Sequence, residues 1–182
     1  MAPAGNFESL QAAIDNGADS VYFGVDQLNM RARASINFTI DDLDEIARRC
    51  APKGIRTYLT LNTIIYDHDL SIIKTLLDAA KKAGLTAVIA MDQAVIAYAR
   101  QIGMEVHIST QINITNIETV RFYAMFADTM VMSRELSLRQ IKKICEQIEK
   151  EQIKGPSGNL VEIEIFGHGA LCMAVSGKCY LS

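Results

Sequence analysis

Residues 70–92 read LSIIKTLLDAAKKAGLTAVIAMD, and this stretch contains one complete helix–glycine–strand unit. Residues 70–83 carry apolar side chains at helical spacing, and residues 87–92 form a short apolar run of the kind found in buried strands. Gly84 stands between the two patterns. Glycine directly after a helix adopts the left-handed backbone conformation that other residues adopt only at a cost. The stretch therefore predicts an amphipathic helix followed by a buried strand.

The same unit recurs along the chain. Helices are predicted over residues 9–16, 41–51 and 93–102, with the strands 20–24, 57–62 and 106–110 following them. A fifth unit, 117–125 then 129–133, lacks the glycine, and a sixth helix, 138–149, leads through a turn at 154–159 to a strand at 161–166. Helices that alternate with strands through short connections predict an α/β domain with a parallel sheet.

Two architectures fit this alternation, an open doubly wound sheet and a closed barrel. An open sheet usually has a glycine-rich phosphate turn after its first strand, and the sequence contains no G-x-G-x-x-G. Polar residues instead follow nearly every strand, which favours a (β/α)8 TIM-type barrel, because a barrel brings all strand carboxyl ends to one face. The candidate site residues on this face are Arg31, Arg33, Asn62, Asp92, Gln111, Arg134, Glu135 and His168, with Glu164 on the inward side of the last strand.

The barrel is expected to be incomplete. Only residues 1–5 precede the first helix, and no eighth strand follows residue 168, so about seven strands are predicted in one partial domain over residues 1–182. An incomplete barrel leaves sheet edges exposed. We therefore expect the natural protein to continue beyond Ser182, with self-association of the open sheet as the alternative.

Composition narrows the function classes. The chain has 182 residues, 49% hydrophobic and 21% charged, with a net charge of −3. The sequence has no apolar run that would span a membrane and no signal-peptide pattern, so a cytoplasmic protein is expected. The net charge gives no broad basic face for RNA, so an RNA-binding form would need a basic surface elsewhere.

Two cysteines lie near the carboxyl terminus, Cys172 and Cys179, in a loop that contains Gly167, Gly169 and Gly177. Spacing alone leaves two interpretations open: a pair of buried small residues, or thiolate ligands of an iron–sulfur cluster or zinc. His168 is either a third ligand or a hydrogen-bonding residue. The other two cysteines, at positions 50 and 145, lie on predicted helices and are expected in the core.

The final stretch, residues 164–182, reads EIFGHGALCMAVSGKCYLS and resembles the signature of peptidase family U32. Further blocks resemble the same family along essentially the whole chain. They are APAGN at 2–6, GAD at 17–19, NMRARA at 29–34, YLTLNT at 58–63, STQ at 109–111 and SRELS at 133–137.

The resemblance implies several activities. The family carries a collagenase and protease label, and it includes enzymes that hydroxylate pyrimidines of transfer or ribosomal RNA. In the hydroxylation enzymes it implies a 4Fe–4S cluster held by four cysteines, of which Cys172 and Cys179 would be two. No cluster is expected to bind stably to this chain alone. The resemblance also implies tRNA and a prephenate-like dicarboxylate as partners, the latter suited to paired arginines such as Arg31, Arg33 and Arg134.

Three functions follow from these observations. Uridine hydroxylation in tRNA accounts for most of the polar residues and for the cysteine pair. A collagenase-like protease is the alternative, with Cys172 and His168 as nucleophile and base, or Glu162 and Glu164 as an acid pair. A non-catalytic subunit that holds a cluster is the third.

Overall fold

The computed structural model describes residues 1–25 and 38–169, and the chain divides into two compact units, Met1–Glu105 and Val106–Ser182. The strands of the first unit are β1 (Ala2–Pro3), β2 (Ser20–Gly24), β3 (Arg56–Leu61) and β4 (Ala87–Ala90). Its helices are α1 (Phe7–Asp15), α2 (Leu43–Cys50), α3 (Leu70–Ala83) and α4 (Gln93–Gln101). The second unit contains β5 (Glu105–Ile108, which begins one residue before the boundary), α5 (Ile117–Ala124), β6 (Thr129–Val131), α6 (Leu138–Glu151) and β7 (Glu162–Glu164).

Every described strand pair is parallel, and strand order follows sequence order from β1 to β7. A parallel neighbour requires a crossover, and α-helices supply it here. This confirms the prediction of an α/β, incomplete (β/α)8 barrel with about seven strands. The first strand is short, Ala2–Pro3, with Ala2 opposite Val21.

Local capping sets where the helices begin and end. The first helix starts at Phe7, two residues earlier than predicted, because Asn6 Oδ1 accepts a hydrogen bond from Ser9 N at 2.8 Å. The helix α3 has the predicted bounds and ends at Gly84, whose φ is +80°. The helix α6 ends without a glycine, since Gln152 itself takes the left-handed conformation with φ 55°.

The sheet of the first unit packs differently on its two faces. On one face, Tyr58, Ala87 and Ile89 form a cluster with Tyr22, which lies opposite Tyr58 in the strand register. On the other face, Phe23 packs edge-on against Phe38 with 5.6 Å between ring centroids, and Phe38 in turn meets Phe7 of α1. Strands covered on both sides are expected in a parallel sheet, and β3 is accordingly buried from Thr57 to Leu61.

No helix within residues 1–25 and 38–169 is long and apolar enough to cross a membrane.

We predict that Gly84→Ala lowers the free energy of unfolding by about 1 kcal/mol. A methyl group at Gly84 would meet no atom within 4 Å, so the cost arises from the backbone conformation alone. Gly167→Ala is the matched control, because its added Cβ also meets open space and its φ is not left-handed. Urea unfolding measures both, and equal stability of the two variants would contradict the prediction.

Candidate functional site

The first unit places two predicted site residues directly after strands. Asn62 follows β3 and has the strand parity of Tyr58 and Thr60, so it continues the face that carries the tyrosine cluster. Asp92 follows β4 and is the N-cap of α4, where its Oδ1 accepts a hydrogen bond from Ala94 N at 2.8 Å. The carboxylate of Asp92 therefore has a structural task that accounts for it without any ligand.

In the second unit, the strand register collects polar residues on one face. His107 lies opposite Thr129, which lies opposite Glu162, and the next row pairs Val131 with Glu164. Side chains opposite one another in neighbouring strands share a face. His107 is 3% exposed and Thr129 is 8% exposed, so the β5 and β6 members of this row are buried. The sequence prediction that Glu162 and Glu164 share one face agrees with this register.

A hydrogen-bonded group lies at the carboxyl ends of β5 and β6. The hydroxyl of Ser133 donates towards Asn113 Oδ1 at 2.8 Å and also contacts the carboxylate of Glu135. The backbone joins in, because Ser133 N donates to the carbonyl of Ile114 at 3.1 Å. Asn113 reaches this position through a left-handed conformation, with φ 61°, which asparagine tolerates better than most residues. Ser133 is 2% exposed and thus fixes the loop geometry from inside.

A pocket of about 130 Å³ lies beside this group, between the segments that follow β6 and β7 and the start of α6. Arg134 contributes the cation of its lining, and most of the other lining side chains are apolar. The lining consists of Met132, Ser133, Arg134, Leu136, Leu138, Ile141, Ile165 and Phe166. A cation among apolar walls suits an organic anion with a carboxylate group.

The other predicted site residues lie in separate loops and strand ends or outside the described part of the chain. Gln111 lies in the short helical turn 110–112, where its backbone N donates to Ser109 Oγ at 3.3 Å. Glu164 is partly exposed at the end of β7, and His168 is exposed four residues later. Four residues lie outside the described part of the chain: Arg31, Arg33, Cys172 and Cys179. Convergence of all these side chains on one site stays a prediction.

Two residues were missed as site candidates from the sequence. His107 is inside a strand rather than after one, and only the register shows that it shares a face with Thr129. Phe166 lies two residues after β7 and lines the pocket with Arg134. His107 and Ser109 are two residues apart, so they lie on the same side of the extended chain, and this spacing was a signal for His107. The place of Phe166 in the pocket depends on where α6 packs, and no pattern in the sequence indicated that.

Within the described residues, no group of three or more His, Cys, Asp or Glu side chains is arranged to hold a metal ion. Burial raises the pKa of the Cys50 thiol and also that of Cys145, which favours the protonated form. Metal ligation requires the thiolate, so these two cysteines are poor ligands. Cys50 is buried, which agrees with the expectation that it is a core residue, whereas Cys145 is only partly buried, so the same expectation was wrong for it.

The chain matches the family model described as peptidase family U32 over residues 5–182. It is 57% identical to a protein of Porphyromonas gingivalis named collagenase, over all of this chain and 44% of the relative. It is 33% identical to tRNA hydroxylation protein P1 of Bacillus subtilis, over all of this chain and 41% of the relative. The chain thus spans less than half the length of these two relatives.

The fold also matches a solved structure, that of the U32 peptidase Mk0906. The TM-score is 0.66 at 13% sequence identity, over 81% of this chain and 64% of that one. At this identity the likeness concerns the fold alone.

We predict that Asp92→Ala lowers the free energy of unfolding by about 1 kcal/mol, because the N-cap hydrogen bond of α4 is lost. Asp92→Asn is the matched control, since an amide oxygen caps a helix nearly as well as a carboxylate. Urea unfolding of both variants gives the comparison. A large loss of stability in Asp92→Asn would show that the negative charge, rather than the cap, is what the structure needs.

Proposed function

The chain belongs to peptidase family U32, and on that basis we propose that the full-length protein hydroxylates a pyrimidine of transfer RNA, namely uridine, with an iron–sulfur cluster as cofactor. The similarity to a tRNA hydroxylation protein extends over the whole of this chain. The relative named collagenase has the higher sequence identity to this chain. Identity alone therefore does not favour RNA hydroxylation over peptide hydrolysis, and the choice between them depends on the residues of the site.

The observation that carries the proposal is the pocket around Arg134. Its lining is mostly apolar apart from Arg134 and Ser133, and an arginine fork binds a carboxylate through two parallel hydrogen bonds. We propose that a small dicarboxylate of the prephenate type binds here. Arg31 and Arg33 follow another strand in sequence, and in this proposal they bind its second carboxylate.

The cluster, in this proposal, is held by Cys172 and Cys179 together with two thiolates from the rest of the full-length protein. It would supply one-electron chemistry near the bound base. The residues of this chain would hold the acid and orient the base: Arg134 by its charge, and Asn62, Gln111 and His168 by hydrogen bonds.

Peptide hydrolysis is the second candidate, and the 57% identity to a protein named collagenase favours it. A peptidase needs an accessible nucleophile beside a base. Ser133 has polar partners, but its hydroxyl is buried and engaged with Asn113 and Glu135, so it cannot reach a peptide bond. Cys172 is the remaining nucleophile of this hypothesis, with His168 as its base.

We predict that Arg134→Ala in the full-length protein lowers kcat/KM by roughly tenfold to a hundredfold, with little change in stability. The loss corresponds to a charge-assisted hydrogen bond of about 1.5–3 kcal/mol. Arg121→Ala is the matched control, because Arg121 pairs with Glu118 and Glu151 on the surface and lines no part of this pocket. If Arg134→Ala reduces the melting temperature but not turnover, Arg134 has a structural role only.

We further predict that deletion of the gene removes a hydroxyuridine-type nucleoside from the tRNA of its host, measured by mass spectrometry. Complementation with the full-length protein should restore the nucleoside, and complementation with Cys172→Ser or Cys179→Ser should not, since each removes a proposed cluster ligand. Absorbance and sulfide content of the purified proteins report the cluster independently. An unchanged nucleoside profile, together with peptide cleavage that is lost in Cys172→Ala, would establish the peptidase instead.

A further inference from the structure

The helix α6 (Leu138–Glu151) carries its charges in an unusual order. Its first two turns contain Arg139, Lys142 and Lys143 and no acidic residue, and all three side chains are exposed. Its acidic residues, Glu146, Glu149 and Glu151, all lie in the second half. We call the three cations the α6 basic face.

This order opposes the helix dipole. The amino-terminal end of a helix is positive, so acidic residues stabilise the first turn and basic residues the last one. Two other helices follow both parts of this rule: α2 has Asp44 and Glu45 before Arg48 and Arg49, and α5 has Glu118 before Arg121. The helix α3 follows the second part, with Lys81 and Lys82 in its last turn. In α6, Arg139 stands in the first turn against this rule, whereas Lys150 in the last turn follows it. Lys142 and Lys143 lie in the second turn, beyond the main reach of the dipole, so the dipole does not explain the α6 basic face.

Local pairing does not explain the three cations either. Lys142 Nζ lies 3.8 Å from Glu146 Oε1, but both side chains are more than 60% exposed, and such pairs contribute little. The amino-terminal end of α6 is already capped by its own side chains. Ser137 Oγ accepts a hydrogen bond from Gln140 N, and Gln140 Oε1 accepts one from Ser137 N. The side chains of the basic face, rather than the backbone of the helix end, are what a ligand would meet.

The position of the basic face connects it to the candidate site. The helix α6 begins at the carboxyl end of β6, four residues after Arg134, and Leu138 and Ile141 of its first turn line the pocket. Leu138 is 73% exposed and Phe166 is 52% exposed, so an apolar surface lies beside the cations. Basic side chains next to an exposed aromatic ring are typical of surfaces that bind single-stranded nucleic acid.

We propose that the α6 basic face binds the phosphate backbone of the RNA substrate next to the pocket. This inference rests on the proposed function, because it identifies the surface through which the second unit holds that substrate. The chain as a whole has a net charge of −3, so a polyanion would have to bind to a local group of cations such as these three. Residues 139 and 143 are about 6 Å apart along the axis, so they contact the backbone at separate points.

The test uses the full-length protein and an unmodified tRNA transcript, with affinity measured by fluorescence anisotropy at several salt concentrations. Arg139→Gln combined with Lys143→Gln should raise Kd roughly tenfold and reduce the slope of log Kd against log salt by about 1 to 2. The melting temperature should stay the same or rise, because the change removes cations from the positive end of the helix. A surface whose role is structural would instead lose stability.

The matched control is Lys82→Gln combined with Arg100→Gln. These two exposed cations lie in the last turns of α3 and α4, and their loss changes the net charge by the same amount. An equal rise in Kd for both double variants would show that only the net charge of the protein matters, and it would overturn the proposal. Unchanged affinity of the α6 variant for tRNA would also overturn it. Weaker binding of polyglutamate with intact binding of tRNA would also overturn it, since the surface would then recognise an acidic protein.

Nucleoside analysis of the same samples separates this inference from the proposed function. If the wild-type protein binds tRNA through α6 but forms no hydroxylated nucleoside, the surface assignment stands and the proposed reaction fails. If the α6 variant hydroxylates tRNA with the KM of the wild-type protein, the reaction stands and the surface assignment fails.

Discussion

Parallel strand pairing is the constraint from which the rest of this structure follows. A strand whose neighbour runs in the same direction needs a crossover connection, and in both units helices make that connection. Helices then cover the sheet, so the strands carry apolar residues on the covered face. The same constraint places the carboxyl ends of neighbouring strands at one edge. In the first unit Asn62 and Asp92 follow strands at their carboxyl ends, and in the second unit Ser133 and Arg134 do so.

In the second unit, polar residues from neighbouring strands and loops come together at this edge. The register of β5, β6 and β7 sets His107, Thr129 and Glu162 in one row, and the loops beyond add Ser133 and Arg134. These residues have different tasks. Ser133 is buried and fixes the loop by contacts with Asn113 and Glu135, whereas Arg134 borders the pocket and supplies charge. A buried, engaged hydroxyl next to a cation in an apolar pocket favours binding of an anion over nucleophilic attack.

The helix α6 contributes both to the core of the second unit and to the lining of the pocket. Its apolar side, with Ile144 and Ile148, is buried and stabilises the second unit. Its first turns contribute to the pocket and carry cations at the end where the helix dipole disfavours them. A stability cost at one end of one helix is expected where a ligand, rather than the fold, determines the residues.

The sequence by itself determined the parallel α/β architecture, because helix and strand periodicities differ and glycines such as Gly84 mark where helices end. It also located most site candidates after strands, since polar residues interrupt apolar runs there. It could not separate a capping residue such as Asp92 from a ligand-binding one, because that depends on a hydrogen bond to Ala94 N. Only the tertiary structure decided that His107 shares a row with Thr129 and that Phe166 joins Arg134 at a pocket. The physical reason is that register and helix packing bring together residues distant in the chain, and local sequence patterns do not encode those distances.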